Sequence, residues 1–197
     1  MAEGRAIAGV AAALVSLAGF VPYLAAAIRG RARPNRATWI IWTVVGGMLF
    51  ASSRAAGAGP AAWLAASYTL GPFVTALVAL RFGVGGWTRF DRACLAGALL
   101  GIGLWLATGS PTVALACFLA IDACGALPTV RKAARDPRSE DPLAWILFTG
   151  GNALDLLAVP RFTFGAAAFA IYMFAVAALV LALLAAGRLR ARSRQHP

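Results

Sequence analysis

Apolar residues in this chain come in seven blocks of 16 to 23, and short clusters of Arg, Pro and Gly stand between them. A helix rises 1.5 Å per residue, so about 20 residues cross the hydrocarbon core of a bilayer. Each block is therefore a candidate span. With 61% hydrophobic and 13% charged residues over 197 positions, a water-soluble domain would have too little polar surface to cover itself. The pattern predicts an all-α integral membrane protein with spans near Ala6–Ile28, Thr38–Ser53, Ala61–Leu80, Ala93–Thr108, Pro111–Val130, Pro142–Val159 and Phe164–Ala186. The turn around Gly109-Ser110-Pro111 separates the fourth from the fifth. The first block is longer than the apolar core of a signal peptide and carries Gly19 and Pro22, which recur later in register, so it reads as a retained helix.

Charge tests the count independently. With seven spans, alternate gaps fall on opposite faces of the membrane. One face then receives Arg29, Arg31, Arg33 and Arg36, then Arg81, Arg89 and Arg92. It also receives Arg131, Lys132, Arg135 and Arg138, then Arg188, Arg190, Arg192 and Arg194. The other face receives Arg5, Arg54 and Arg161, a division of fifteen against three. Positive loops are retained in the cytoplasm, which predicts an extracytoplasmic N-terminus and a cytoplasmic C-terminus in a cell membrane. The same placement argues against nucleic acid as the partner of the net charge of +11, because the cations are juxtamembrane rather than gathered in a soluble patch. Anionic lipids are the expected contacts of these loops. Cys94, Cys117 and Cys124 are odd in number and lie in or beside spans, which is no disulfide framework. The Ala, Gly and Arg excess with Lys132 as sole lysine fits a high-GC coding bias and a bacterial inner membrane.

An ungapped shift of 106 residues lays Gly19 on Gly125, Pro22 on Pro128 and Arg29 on Arg135, and it lays Trp39 on Trp145, Ile40 on Ile146 and Thr43 on Thr149. Three spans is an odd number, so a direct copy would be inverted. A fourth helix restores the orientation and makes the repeats parallel. The expected architecture is two parallel three-helix bundles plus a linker helix (3+1+3). Residues 1–82 form the first triple-helix repeat, 83–110 the linker helix, 111–187 the second repeat and 188–197 a basic cytoplasmic tail.

Polar residues inside apolar spans carry the chemistry. Asp122 lies about eleven residues into the fifth span, roughly half the bilayer depth. An acid there costs several kcal/mol unless it faces water, a partner or a substrate, or holds its proton. It is a candidate for substrate binding or proton transfer; a protonated acid bonded to a neighbouring helix is the plainer reading. Its repeat mate is Ser16. Asn152 and Asp155 lie three apart on one face of the sixth span, and the amide of Asn152 both donates and accepts, as recognition of hydroxyl-bearing or amide-bearing solutes requires. Gly150 and Gly151 allow close helix packing or a local opening beside it. Trp39 and Trp145 either anchor at the interface or stack on a ring-shaped solute; Trp42 reads as an anchor. Pro22 and Pro128 each free a backbone carbonyl within a span and are candidate paired hinges, or ordinary kinks. No nucleophile with its base, phosphate-cradling glycine loop or metal-spaced cluster is found, and His196 lies in the tail. Neither catalysis, a cofactor nor a metal is expected.

Seven helices as three plus one plus three, parallel repeats and a Pro in the first helix of each repeat resemble the SWEET and PQ-loop membrane families. Pro22-Tyr23 and Pro128-Thr129 stand where PQ-loop proteins carry Pro-Gln. Pro34-Asn35-Arg36-Ala37-Thr38-Trp39 and Pro128-Thr129-Val130-Arg131-Lys132 look like segments of an uncharacterised bacterial branch. SWEET carriers use a Trp on the second helix of a repeat, which Trp39 and Trp145 match, and an Asn on the third, where this chain offers Ser67, Tyr68, Thr75 and Tyr172. Bacterial nicotinamide riboside transporters share a similar layout. The resemblance implies a small-solute transporter, for a sugar or a vitamin-like or nucleoside-like substrate, that alternates access around a midplane polar site. Ser16, Trp39, Asp122, Trp145, Asn152 and Asp155 would contact the solute and Pro22 and Pro128 would hinge. A proton is a candidate co-substrate and a homo-oligomer a candidate assembly. The alternative is a non-transporting membrane receptor or scaffold of the same fold.

Overall fold

The computed structural model describes residues 2–55, 62–108, 111–159 and 162–193. Arg161, Arg194 and His196 lie outside them, as do the side chains of Arg54, Trp63, Ser67, Tyr68 and Arg192. Among the described residues the chain is all-helical, without strands. The helices are α1 (Ala2–Ile28), α2 (Arg36–Ala55), α3 (Ala62–Phe82), α4 (Arg89–Thr108), α5 (Pro111–Arg135), α6 (Pro142–Ala158) and α7 (Phe164–Ser193), with a 3₁₀ turn at Pro137–Ser139.

Local chemistry sets the ends. Gly30 adopts φ +70°, and behind it Arg31 N–H bonds Ala26 C=O at 2.8 Å, a glycine-terminated stop for α1. The Asn35 side chain accepts from Thr38 N–H at 3.2 Å to start α2, and the Asp141 side chain accepts from Ala144 N–H at 2.9 Å to start α6. Those two caps stand 106 residues apart, as do their donors. Thr88 and Asp91 exchange bonds at the head of α4: Thr88 N–H to Asp91 Oδ2 at 3.2 Å, and Asp91 N–H to Thr88 Oγ1 at 3.1 Å. This is a reciprocal capping box.

The helices pack as two compact units. One comprises Met1–Arg33 and Thr129–Pro197, the other Pro34–Pro128. In the first, α6 lies against both α1 and α7. Its antiparallel pairing with α1 is set by small residues: Gly9 beside Ala158, Gly151 beside Ala12 and Ser16, and Gly19 beside Phe148. In the second unit α2 packs on α3 and α4. Gly125 of α5 presses on Ile41 and Trp42, and Ile41, Val45, Cys94, Ala98 and Ile121 form a common core. Helix two of each repeat therefore meets helix three of its own repeat and helix one of the other. The point contacts repeat as well, since Gly19 meets Phe148 and Gly125 meets Trp42, and position 148 is the mate of 42. Chain passage between the units falls at Arg33–Pro34 and, inside continuous α5, at Pro128–Thr129.

Among the described residues small, polar and a few large apolar side chains share the interior, the largest fully buried apolar ones being Trp39, Tyr23, Ile121, Val180 and Leu184. The interior is built largely of alanine together with Thr38, Thr75, Asp91, Asp122, Thr129, Glu140 and Asn152. Large apolar side chains face outward on every helix, among them Val10, Leu14, Val44, Phe73, Leu77, Leu99, Leu100, Leu127, Leu157 and Leu179. Among the described residues two helical stretches, Glu3–Ile28 and Ala167–Arg190, are long and apolar enough to cross a membrane; Thr69–Phe82 and Pro142–Ala158 are shorter apolar stretches.

Basic residues collect at one end of each unit. In the first unit Arg33 N–H bonds Ser139 C=O at 2.7 Å and the Pro137 ring seats on Gly187. The ends of α1 and α5, the start of α6 and the last part of α7 thus share one end, with Arg29, Arg31, Arg131, Arg135, Arg138 and Arg188. In the second unit the Arg36 guanidinium donates to Gly85 C=O at 3.2 Å and Leu80 C=O at 3.5 Å. This brings Arg36, Arg81, Arg89 and Arg92 to one end.

Candidate functional site

Each unit carries a polar station where helix one of one repeat crosses helix two of the other. In the first unit Ser16 of α1 points at Gly151 of α6, and its hydroxyl occupies the space a Cβ on Gly151 would need. Asn152 is the next residue and is buried; its Nδ2 donates to Phe148 C=O at 2.8 Å. That bond uses one donor of the amide and fixes its orientation. Asp155 lies a turn further along α6 and is half-buried. Ser16 and Gly151 are thus brought together by the close α1–α6 crossing, with Asn152 the next residue along α6.

In the second unit Asp122 is buried in α5, 4% exposed, and its backbone carbonyl accepts the Trp42 indole N–H at 3.3 Å. The Trp42 ring meets Trp39 edge to face at 5.1 Å between centroids. Trp42, expected as an anchor, is the link between Trp39 and the Asp122 turn. Trp39 itself is buried, and Thr43 Oγ1 donates to its carbonyl at 2.7 Å; Thr149 makes the same bond to Trp145 at 2.7 Å. Trp145 is buried too, with its indole N–H donated to Glu140 Oε2 at 3.0 Å and its ring 5.6 Å from Phe148. Both tryptophans are covered by protein in this conformation, so stacking on a solute requires an opening movement. Pro22 sits half-buried within α1, and Pro128 is buried at the residue where α5 passes from one unit to the other.

Two polar clusters add to those read from the sequence. At the basic end of the first unit, Lys132 Nζ pairs with Glu140 Oε1 at 2.6 Å and also bonds Arg33 C=O. At the basic end of the second, Asp91 accepts from Gly86 N–H at 2.8 Å, Thr88 Oγ1 at 2.7 Å and Asn35 Nδ2 at 3.4 Å. The signals for them are in the sequence: Thr88-Arg89-Phe90-Asp91 before an apolar run is a capping-box pattern, and Glu140-Asp141 is an acidic pair inside an otherwise basic loop. Thr75 bonds Gly71 C=O within α3 at 2.8 Å. Among the described residues no group of His, Cys, Asp or Glu has a metal-binding arrangement. Chemically, the stations supply hydroxyl and amide hydrogen-bonding groups in one unit and a carboxyl in the other. Comparison with protein-family models, with curated proteins and with solved structures gives no match.

Proposed function

We propose that the chain is a seven-span membrane transporter for a small polar solute, organised as two parallel three-helix repeats around a linker helix and related in layout to SWEET and PQ-loop proteins. The observation that carries this reading is the pair of polar stations at repeat-equivalent positions. Ser16 of α1 packs against α6 and Asp122 of α5 is tied to α2 through Trp42, each where helix one of a repeat meets helix two of the other. Polar residues held inside a small-residue interior, with leucines turned outward, are what a bilayer solvent demands and water does not. The collection of arginines at one end of each unit supports a cytoplasmic face there.

In this reading Ser16 and Asn152 bind hydroxyl or amide groups of a sugar or a vitamin-like or nucleoside-like solute. Asp122 binds its polar or cationic part or carries a proton. Asp155 lies toward the outer mouth. Trp39 and Trp145 guard the cytoplasmic side, and access alternates as the helices bend at Pro22 and Pro128. Pro128, inside α5, lacks the N–H that would close a helical bond there, which supports that hinge.

The test is uptake into proteoliposomes from a panel of sugars, nucleosides and vitamin precursors, with and without a pH gradient. Saturable uptake of one class is expected. Asp122→Ala is expected to reduce it about tenfold or more, the effect of losing one hydrogen bond to a charged group, and Asp122→Asn to abolish any dependence on the pH gradient. Dependence unchanged in Asp122→Asn removes the carboxyl from proton transfer. No uptake by folded protein across the panel favours a receptor or scaffold instead.

A further inference from the structure

We infer that Lys132 and Glu140 form a latch over an aromatic plug, and that its release opens the Ser16–Asn152 station to the basic side; this rests on the transport reading. Glu140 is 2% exposed and stands just before α6, while Lys132 lies in the last turn of α5. Lys132 Nζ is bonded at once to Glu140 Oε1 and to Arg33 C=O in the segment that follows α1. One ammonium thus holds together the exit of α1, the end of α5 and the entry to α6. The second carboxylate oxygen of Glu140 holds the indole of Trp145.

Below this pair the rings are stacked toward the station. Trp145 meets Phe148 edge to face, and Phe148 in turn meets Phe20 at 5.0 Å and Tyr23 at 6.3 Å between centroids. The carbonyl of Phe148 accepts the Asn152 amide. Along α6 the order is therefore ion pair, Trp145, Phe148, Asn152, at successive turns. Along antiparallel α1 it is Tyr23, Phe20, Ser16. A solute moving between the basic end and the station along this crossing has to displace these four rings.

The repeat shows why the ion pair is a device rather than a generic joint. The mates of Lys132 and Glu140 are Ala26 and Pro34, which carry no charge. In the second unit the entry to α2 is fastened by two backbone bonds, Val84 N–H to Pro34 C=O at 2.9 Å and Arg36 N–H to Val84 C=O at 3.0 Å, with the Asn35 amide on Asp91 beside them. Buried ion pairs gain little net stability over well-packed apolar groups, and their best-attested use is to specify a register or a switch. Here one joint adds neutral-amide capping to a backbone ladder, and the other hangs on an ion pair beside the backbone bond Arg33 N–H to Ser139 C=O.

Accessibility of the buried segment reads the latch directly. Cys94, Cys117 and Cys124 are free thiols. In full-length protein with these changed to alanine, Ala32→Cys places a thiol at a fully buried position between Arg31 and Arg33. Its reaction with a hydrophilic maleimide is expected to be slow with the pair intact, and about tenfold faster in Lys132→Met and Glu140→Gln, as for release of a local closing contact. The reciprocal exchange Lys132→Glu with Glu140→Lys is expected to restore slow labelling. Glu140→Asp, which keeps the charge but shortens its reach, gives an intermediate rate and serves where a neutral variant does not fold. Equal rates in all folded variants, or an exchange as fast as the single changes, overturns the latch. Labelling needs no solute, so a flat labelling series refutes the latch, whereas labelling that responds beside an empty uptake panel keeps the latch and favours the receptor or scaffold reading.

Discussion

Replacing Gly151 with valine is expected to destabilise the protein by about 3 kcal/mol, the cost of forcing extra carbons into a closed packing site, while Gly150→Ala is neutral or stabilising. The two glycines are neighbours in sequence and opposite in surroundings. A Cβ on Gly151 runs into the Ser16 hydroxyl and comes within 3.0 Å of Ala12 O and of Ser16 N, both backbone atoms that no rotamer change moves. Relief requires α1 to part from α6, which also moves Ser16 away from the Gly151–Asn152 stretch. A Cβ on Gly150 meets nothing within 4 Å, so alanine there removes glycine's entropic cost in a helix, up to about 1 kcal/mol. Thermal unfolding of detergent-purified protein measures both, with a drop of several degrees for Gly151→Val and none for Gly150→Ala. Equal effects at the two positions rule out the close α1–α6 crossing. On the proposed transport reading, Gly151→Val also weakens solute uptake.

Hydropathy makes the helices legible but not their ends. The expected fifth and seventh spans close at Val130 and Ala186, whereas α5 runs to Arg135 and α7 to Ser193. Apolar length measures the thickness of a solvent layer, and a helix can continue past it with arginines in its last turns. Repeat register is legible too. The shift that aligns Trp39 with Trp145 also aligns the Asn35 and Asp141 caps and the Thr43 and Thr149 back-bonds. Partner choice is not. That Gly19 would press on Phe148 and Gly125 on Trp42, in each case a helix of the other repeat, depends on tertiary packing that periodicity does not encode. Trp145 illustrates the limit within the candidate site. Its type suggests an interfacial ring, yet its N–H is committed to Glu140, an acid that a count of loop charges merely subtracts from the basic total. Counting sign along the loops predicts an orientation; it does not find which carboxylate is folded inward, as Glu140 is.

Asp91 is the other such carboxylate, and Asp91→Ala is expected to destabilise the second unit by about 3 kcal/mol through the buried donors it leaves unmatched. Its Oδ2 receives Gly86 N–H, Thr88 N–H and the Thr88 hydroxyl, and its Oδ1 receives the Asn35 amide. Gly85 and Gly86 hold φ of +69° and +90°, so the turn that aims these N–H groups at the carboxylate is one that residues with a Cβ rarely adopt. Asn35 is at the same time the cap of α2. One side chain thus fixes the start of α4, the turn after α3 and, through Asn35, the start of α2, the helix that carries Trp39 and Trp42. Losing it should loosen all three together. The measurements are the unfolding midpoint and the rate of proteolysis within residues 83–88, with Asp91→Asn as the comparison. Asparagine keeps the size and one accepting oxygen, so about half the loss is expected, whereas a role of shape alone predicts wild-type behaviour for Asp91→Asn. A Thr88→Ala change removes only the hydroxyl half of the capping box and should cost about 1 kcal/mol. Since Trp42 carries the bond to the Asp122 carbonyl, the proposed transport reading expects Asp91→Ala to lower uptake even though residue 91 lies at the basic end and touches no station.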